Sequence, residues 1–197
     1  RLGARATGAD FSSEAIELAR KLAAEVDLPA TFVCSDLADL ANVLPGDFDV
    51  VYTSRGVLGW LPDLKPWAEV VGRFVRPGGL FYITEAHPLL WTFDDDELAF
   101  RYSYFGGEAL KFPTEGSYAD REAKVNEPFE YGWNHSLGEI VTALADVGLR
   151  IEFLREMPFV EWPVNFLEER DDGTWRLPEA HPELPLFFAL KATKPSA

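Results

Sequence analysis

Short β-type runs alternating with helix-period patterns fill the first half of this chain, and that alternation restricts the fold to a parallel sheet built from βαβ units. Arg5-Ala6-Thr7-Gly8-Ala9-Asp10 reads as a strand that ends on an acid. Ser12 then has the form of a helix N-cap, and Ala15, Ile16, Ala19, Leu22, Ala23 and Val26 recur on one helical face. A second unit follows, with a strand over Ala30 to Cys34 leading to Ser35-Asp36-Leu37. Phe48 to Thr53 is a near-continuous apolar run, which predicts a strand buried on both faces. Asp63 opens a helix whose apolar set is Leu64, Trp67, Val70, Val71, Phe74 and Val75, with Pro66 acceptable in the first turn. Arg76-Pro77-Gly78-Gly79 stops it, and Leu80 to Thr84 predicts another buried strand running toward Glu85, Ala86 and His87.

Residues 88–135 break the rhythm: they carry many aromatics and acids but no sustained period, and read as an insertion. Regular structure resumes at Ser136-Leu137-Gly138-Glu139, a capping box, with Leu137, Ile140, Val141 and Leu144 as the buried stripe and Gly148 as the C′ residue. Leu149 to Leu154 and Pro185 to Thr193 are the last two strands. Residues 158–183 between them form an excursion too long for a tight hairpin. A chain of 197 residues fits one domain carrying these two insertions.

Eighteen Lys and Arg against thirty-three Asp and Glu give a net charge of −15, which opposes attraction to nucleic acid or to anionic membrane surfaces. No stretch approaches the roughly 18 consecutive apolar residues of a membrane span. The single cysteine, Cys34, cannot form an internal disulfide, and its neighbours Phe32 and Val33 predict a buried structural thiol in a cytoplasmic protein. Three scattered histidines offer no metal-ligand spacing, and Asp94-Asp95-Asp96-Glu97 reads as a solvated charge run, so no metal site is expected. The absence of a Gly-x-Ser-x-Gly elbow weakens a hydrolase reading.

Four positions stand out chemically. Asp10, at the carboxyl end of a strand, sits where doubly wound folds hold a ribose diol; the alternative is a cap for the helix after it. Asp36 repeats the pattern, and two such acids can bracket a nucleoside, although Asp36 alone reads as a turn acid. Ser54-Arg55-Gly56-Val57-Leu58-Gly59-Trp60 follows the central strand at the mouth where ligands bind, and Arg55 can hold an acidic group or pair with a surface acid. His87 leaves the strand from Leu80 as either a general base or an ordinary His-Pro turn.

Gly8-Ala9-Asp10-Phe11-Ser12, Ser35-Asp36-Leu37, Phe48 to Ser54 and Arg76-Pro77-Gly78-Gly79-Leu80, in this order, resemble the class I S-adenosylmethionine-dependent methyltransferases. The resemblance implies a Rossmann-like α/β fold: a doubly wound, mostly parallel sheet with an antiparallel last strand in a three-layer α/β/α sandwich. It implies S-adenosylmethionine as cofactor, with Asp10 on the ribose, Phe11 against adenine, Asp36 on the adenine amine beside Leu37, and Ser54 near the methionine moiety. It places His87 near the transferred methyl. Aromatics of the insertions, Trp91, Tyr102, Tyr104 and Phe105 in the first and those of Phe159 to Phe166 in the second, would form a lid over the acceptor. Arg55, Trp60 and Trp91 would then face a small-molecule methyl acceptor. The family's first strand, glycine-rich loop and following helix have no counterpart here, and that strand would lie between the one ending at Asp10 and the one over Phe48 to Thr53. Two rival readings are a nicotinamide-dependent oxidoreductase, which explains Asp10 equally well, and a non-catalytic Rossmann-like scaffold.

Overall fold

The computed structural model describes residues 3–53, 55–94, 97–114 and 129–196. The first half runs β1 (Ala6–Asp10), α1 (Ser13–Glu25), β2 (Ala30–Cys34), the single turn α2 (Leu40–Val43), β3 (Phe48–Thr53), α3 (Leu64–Phe74) and β4 (Val75–Ala86). The second half runs β5 (Leu110–Pro113), β6 (Phe129–Gly132), α4 (Leu137–Asp146), β7 (Arg150–Met157), β8 (Glu168–Glu169), β9 (Trp175–Arg176) and β10 (Phe187–Thr193). β1 and β2 pair in parallel, as do β3 and β4, and β10 lies antiparallel between β4 and β7. The main sheet is therefore ordered β3-β4-β10-β7. No described strand lies between β1 and β3, each of which is paired along one edge only.

Period-two alternation divides the strand residues between two cores. Phe188, Leu190 and Ala192 of β10 and Phe81 and Ile83 of β4 point into one core, closed by Trp67, Ala68 and Val71 of α3 and Ile140 and Leu144 of α4. At the carboxyl end of β4, Ala86 joins Phe187, Leu186, Leu90, Val160 and Leu167 in a second core built largely from the two insertions. Both expected helix starts are present. The Asp63 side chain accepts from the Lys65 N–H, and Ser136 and Glu139 form the full capping box. Gly148, with φ of +82°, follows the C-cap of α4 in the left-handed region that favours glycine.

Four sequence expectations are corrected. β3 is not buried on both faces: Val51 packs on the main core, whereas Val50 and Tyr52 are more than half exposed, because α3 and the paired β4 cover one face and one edge. The apolar stripe of α1 is largely uncovered. Ile16 is its single buried residue, and Leu22 and Val26 are exposed, because β1 and β2 are too short and too few to cover the helix. Cys34 is exposed, its thiol donating to the Phe11 carbonyl at 3.5 Å, because it is the last residue of β2 in a sheet whose described strands are β1 and β2 alone. Arg76 to Gly79 does not separate helix from strand. α3 ends at Phe74, and β4 already includes these residues, with an irregular register against β3.

Candidate active site

The two strand-end acids have the same local geometry. Asp10 lies opposite Cys34 in the β1–β2 ladder, and the Ser35 N–H donates to the Asp10 carbonyl at 2.9 Å, which places Asp36 two residues beyond on the neighbouring strand. Asp10 Oδ1 accepts the Ser12 N–H at 2.8 Å, and Asp36 Oδ1 accepts the Ala38 N–H at 2.8 Å. Each acid thus turns its own chain with one oxygen while its side chain stays at the surface. Phe11, between them in sequence, is 80% exposed, and Leu37 packs against the main core. Ser12, not Asp10, is the N-cap of α1, and the Asp10 bond to the Ser12 N–H leaves its second oxygen for a ligand.

Ser54 lies outside the described residues, as do Arg1, Leu2, Asp95, Asp96 and residues 115–128 of the first insertion. Beyond Ser54 the chain turns sharply, with Gly56 at φ +78°. The half-exposed Arg55 guanidinium pairs with Glu161 and lies 5.5 Å over the Phe187 ring, which favours a cation. This contact joins the β3 exit to the second insertion.

Beneath the turn sits Glu85, 5% exposed at the end of β4. Gly56 donates to both of its oxygens at 2.8 and 2.9 Å, Val57 to one at 2.9 Å and Leu58 at 3.4 Å, while Ala86 donates at 3.0 Å. Burial pushes the Glu85 carboxyl above the usual carboxylate range, and the N–H groups of Gly56, Ala86, Val57 and Leu58 pull in the other direction. The same turn is held from outside by the Trp133 N–H, which donates to the Gly59 carbonyl at 2.9 Å. Trp60 projects from it, 53% exposed.

His87 is 3% exposed. Its Nδ1 accepts the Leu89 N–H at 3.0 Å, so the ring proton belongs on Nε2, which donates to Glu156 Oε1 at 2.9 Å. Burial holds the imidazole below its usual pKa, although Glu156 pulls it upward. Both ring nitrogens are engaged, so His87 faces Glu156 and the backbone.

The two insertions meet in the second core, where Phe93 lies 5.4 Å from Phe166 and Trp162 5.7 Å from Phe187. Buried Asn134 donates from Nδ2 to the carbonyls of Pro88 and Ser103, tying the ends of the first insertion together. Trp91 remains 47% exposed beside this core. Tyr104 does not stay free as a lid aromatic, because its hydroxyl accepts the Leu137 N–H at 3.3 Å. Between α3 and α4 lies a separate groove of about 560 Å³ that includes Asp63, Glu69, Trp133, His135 and Asp146. His135 Nε2 lies 2.7 Å from the Leu61 carbonyl at its side. Among the described residues no group of three or more His, Cys, Asp or Glu side chains could hold a metal ion, and no helix is long and apolar enough to cross a membrane.

The structure therefore gathers two clusters: Asp10, Phe11, Asp36 and Leu37 on the β1–β2 pair, and Arg55, Glu85, His87, Glu156 and Glu161 at the carboxyl end of the main sheet. Sequence reasoning missed the three glutamates. Glu85 had one legible signal, an acid closing an apolar strand. Glu156 and Glu161 had none, since their partners lie 69 and 106 positions away in the chain.

Residues 1–83 match the methyltransferase domain family Methyltransf_11. The ubiquinone biosynthesis O-methyltransferase of Photorhabdus laumondii is 28% identical over 134 residues, covering 68% of this chain and 52% of that enzyme. The chain thus spans about half the length of that curated relative. Among solved structures, a Listeria monocytogenes protein assigned as an S-adenosylmethionine-dependent methyltransferase superposes with a TM-score of 0.66 at 16% identity, over 96% of this chain and 79% of that one. The glycopeptide N-methyltransferase MtfA, solved with S-adenosylmethionine, superposes with a TM-score of 0.61 at 17% identity, over 98% and 74%.

Proposed function

We propose, for a chain whose residues 1–83 belong to the methyltransferase domain family and whose fold is that of the class I superfamily, that it methylates a small molecule using S-adenosylmethionine. The observation that carries this reading is the pair of exposed carboxylates at adjacent parallel strand ends, with the uncovered Phe11 ring directly after Asp10. Asp10, with Oδ1 on the Ser12 N–H, has its second oxygen to accept the ribose hydroxyls. Phe11 takes the adenine face, Asp36 accepts from the adenine amine, and Leu37 closes the pocket from the core side. These residue types fit a nucleoside: carboxylates accept from diols and amines, and an exposed ring gains by being covered. Ser54 is assigned to the methionine end.

The bound cofactor supplies an electrophilic methyl group on a sulfonium. Arg55, Trp60 and Trp91 frame the acceptor, with the insertions at 88–135 and 158–183 as its cover. Aligning the acceptor nucleophile and excluding water provide most of the acceleration such a transfer needs. His87 keeps no free nitrogen for an acceptor proton, so this reading assigns it to holding the β4 exit through Glu156. An oxidoreductase would share the ribose acid but not the family of residues 1–83. Calorimetry separates the two: S-adenosylhomocysteine should bind the intact protein with a micromolar or lower Kd and NAD should not, and the reverse would overturn the reading. Transfer of labelled methyl groups to a panel of phenols, catechols and amines then tests the acceptor class.

A further inference from the structure

The N–H groups of Gly56, Val57 and Leu58 all converge on one point, a concave backbone arrangement that attracts an anion. Here the anion is internal. The Glu85 carboxylate fills it: the Gly56 N–H is shared between both oxygens at 2.8 and 2.9 Å, Val57 donates at 2.9 Å and Leu58 at 3.4 Å, and the carboxylate also receives the N–H of its own neighbour Ala86. Four backbone donors on a carboxylate that is 5% exposed are not a surface accident. Burying a charge is costly unless hydrogen bonds replace its water, and the turn supplies those bonds. The dependence is mutual: without an acceptor beneath them, the Gly56 to Leu58 N–H groups would have to be satisfied by water in a partly buried turn.

The turn carries functional side chains on both flanks. Arg55 precedes Gly56 and reaches Glu161 and the Phe187 ring, and Trp60 closes the short helical turn that Leu58 begins. We propose that Glu85 is the positioning residue of the acceptor side: by gripping the backbone at 56–58 it fixes where Arg55 and Trp60 point, an inference that rests on the methyltransferase reading. Glu85 itself touches neither cofactor nor acceptor. Its grip concerns the β3–β4 mouth and leaves the β1–β2 acids untouched, so cofactor-side and acceptor-side effects should separate.

The test combines amide hydrogen exchange with S-adenosylhomocysteine calorimetry on the intact wild-type protein and on Glu85→Gln and Glu85→Ala. Glutamine keeps one acceptor oxygen but turns an NH2 group toward the donors; alanine removes every acceptor. Protection at Gly56, Val57 and Leu58 should fall roughly 10- to 100-fold in Glu85→Ala and less in Glu85→Gln. The β10 amides should keep theirs, and the S-adenosylhomocysteine Kd should stay within about threefold in Glu85→Gln. Unchanged exchange at 56–58, or an equal loss across β10, would overturn the proposal, as would a tenfold loss of S-adenosylhomocysteine affinity. If Glu85→Ala does not fold, Glu85→Gln alone decides the matter by the same criteria. A wild-type protein that fails to bind S-adenosylhomocysteine sinks the methyltransferase reading and with it the acceptor-side role, whereas an exchange result at odds with these expectations sinks the Glu85 proposal alone.

Discussion

The β1-α1-β2 unit and the β3-β4-β10-β7 sheet are built from the same strand and helix vocabulary, yet they bury very different amounts of themselves. In the larger sheet Phe81, Ile83, Phe188 and Leu190 are fully buried under Trp67 and Leu144. In the smaller unit Ile16 is the only apolar side chain that reaches 3%, while Leu18, Leu22, Val26 and Leu28 are at least half exposed. Stability in one molecule spans a range from fraying segments to the global core, and ligand-binding elements tend to come from its low end. The proposed nucleoside acids, Asp10 and Asp36, stand on the weakly buried unit. The positioning network of Glu85 and His87 stands on the strongly buried sheet. Binding at the acids should therefore order its own platform, whereas the acceptor side is prepared in advance.

The largest expected effect contrasts Phe188→Ala with Leu22→Ala. Emptying the Phe188 site removes a fully buried ring from the main core and should cost about 3 to 5 kcal/mol in urea unfolding. Leu22→Ala removes a side chain that is 58% exposed and should stay within about 0.5 kcal/mol. Comparable costs would mean that the two regions form one cooperative core, and the contrast would be lost.

Asp10→Ala addresses the platform itself. Losing a charged acceptor for the ribose hydroxyls should weaken S-adenosylhomocysteine by about 1.5 to 3 kcal/mol, or roughly 10- to 150-fold, in calorimetry. An unchanged Kd would leave Asp10 as the Ser12 turn acid alone.

How far the sequence revealed these two regions follows from the range of the forces involved. Local signals were readable: the Ser12 and Ser136 caps, the strand ends at Asp10 and Cys34, and the start of α3 at Asp63 all depend on neighbours within four residues. Burial was not, because periodicity marks which face is apolar without saying whether anything covers it. That is why the α1 stripe and the Val50 and Tyr52 face of β3 were expected inside and lie outside. The site divided in the same way. Asp10 and Asp36 declare themselves by position after a strand, whereas Glu156 and Glu161 acquire roles only when β7 and the second insertion fold back onto His87 and Arg55.

A smaller effect depends on pH and tests the buried side of the contrast. Burial lowers the folded pKa of His87 below the ordinary value of about 6.5, so on acidification the unfolded chain takes up a proton that the folded chain declines. The stability owed to His87 is therefore complete above about pH 6.5. It falls as the pH drops from there toward the lower folded value, with a slope of at most about 1.4 kcal/mol per pH unit. Below that value it levels off. Unfolding midpoints from pH 7.5 to 5 should decline less steeply in His87→Gln than in wild type, and parallel curves would show that the pull of Glu156 cancels the effect of burial.

The smallest expected effect separates the two regions most finely, because it places the same chemistry in both. Ser12 caps α1 through the Ala15 N–H at 3.1 Å, and Ser136 caps α4 through the Glu139 N–H at 3.2 Å while Glu139 reaches back to the Ser136 N–H at 2.7 Å. Loss of such a cap costs about 1 kcal/mol when the helix unfolds with the rest of the protein. α4 packs Ile140 and Leu144 into the main core, so Ser136→Ala should lower global stability by about that amount. Ile16 is the one fully buried side chain of α1, so the helix is expected to open without dismantling the main sheet. Ser12→Ala should therefore leave the urea midpoint nearly unchanged and raise amide exchange in α1 alone, by about fivefold for the same 1 kcal/mol. If Ser12→Ala shifts the global midpoint as far as Ser136→Ala does, α1 unfolds together with the main sheet, and the exposed Leu18, Leu22 and Val26 do not mark a separately opening unit.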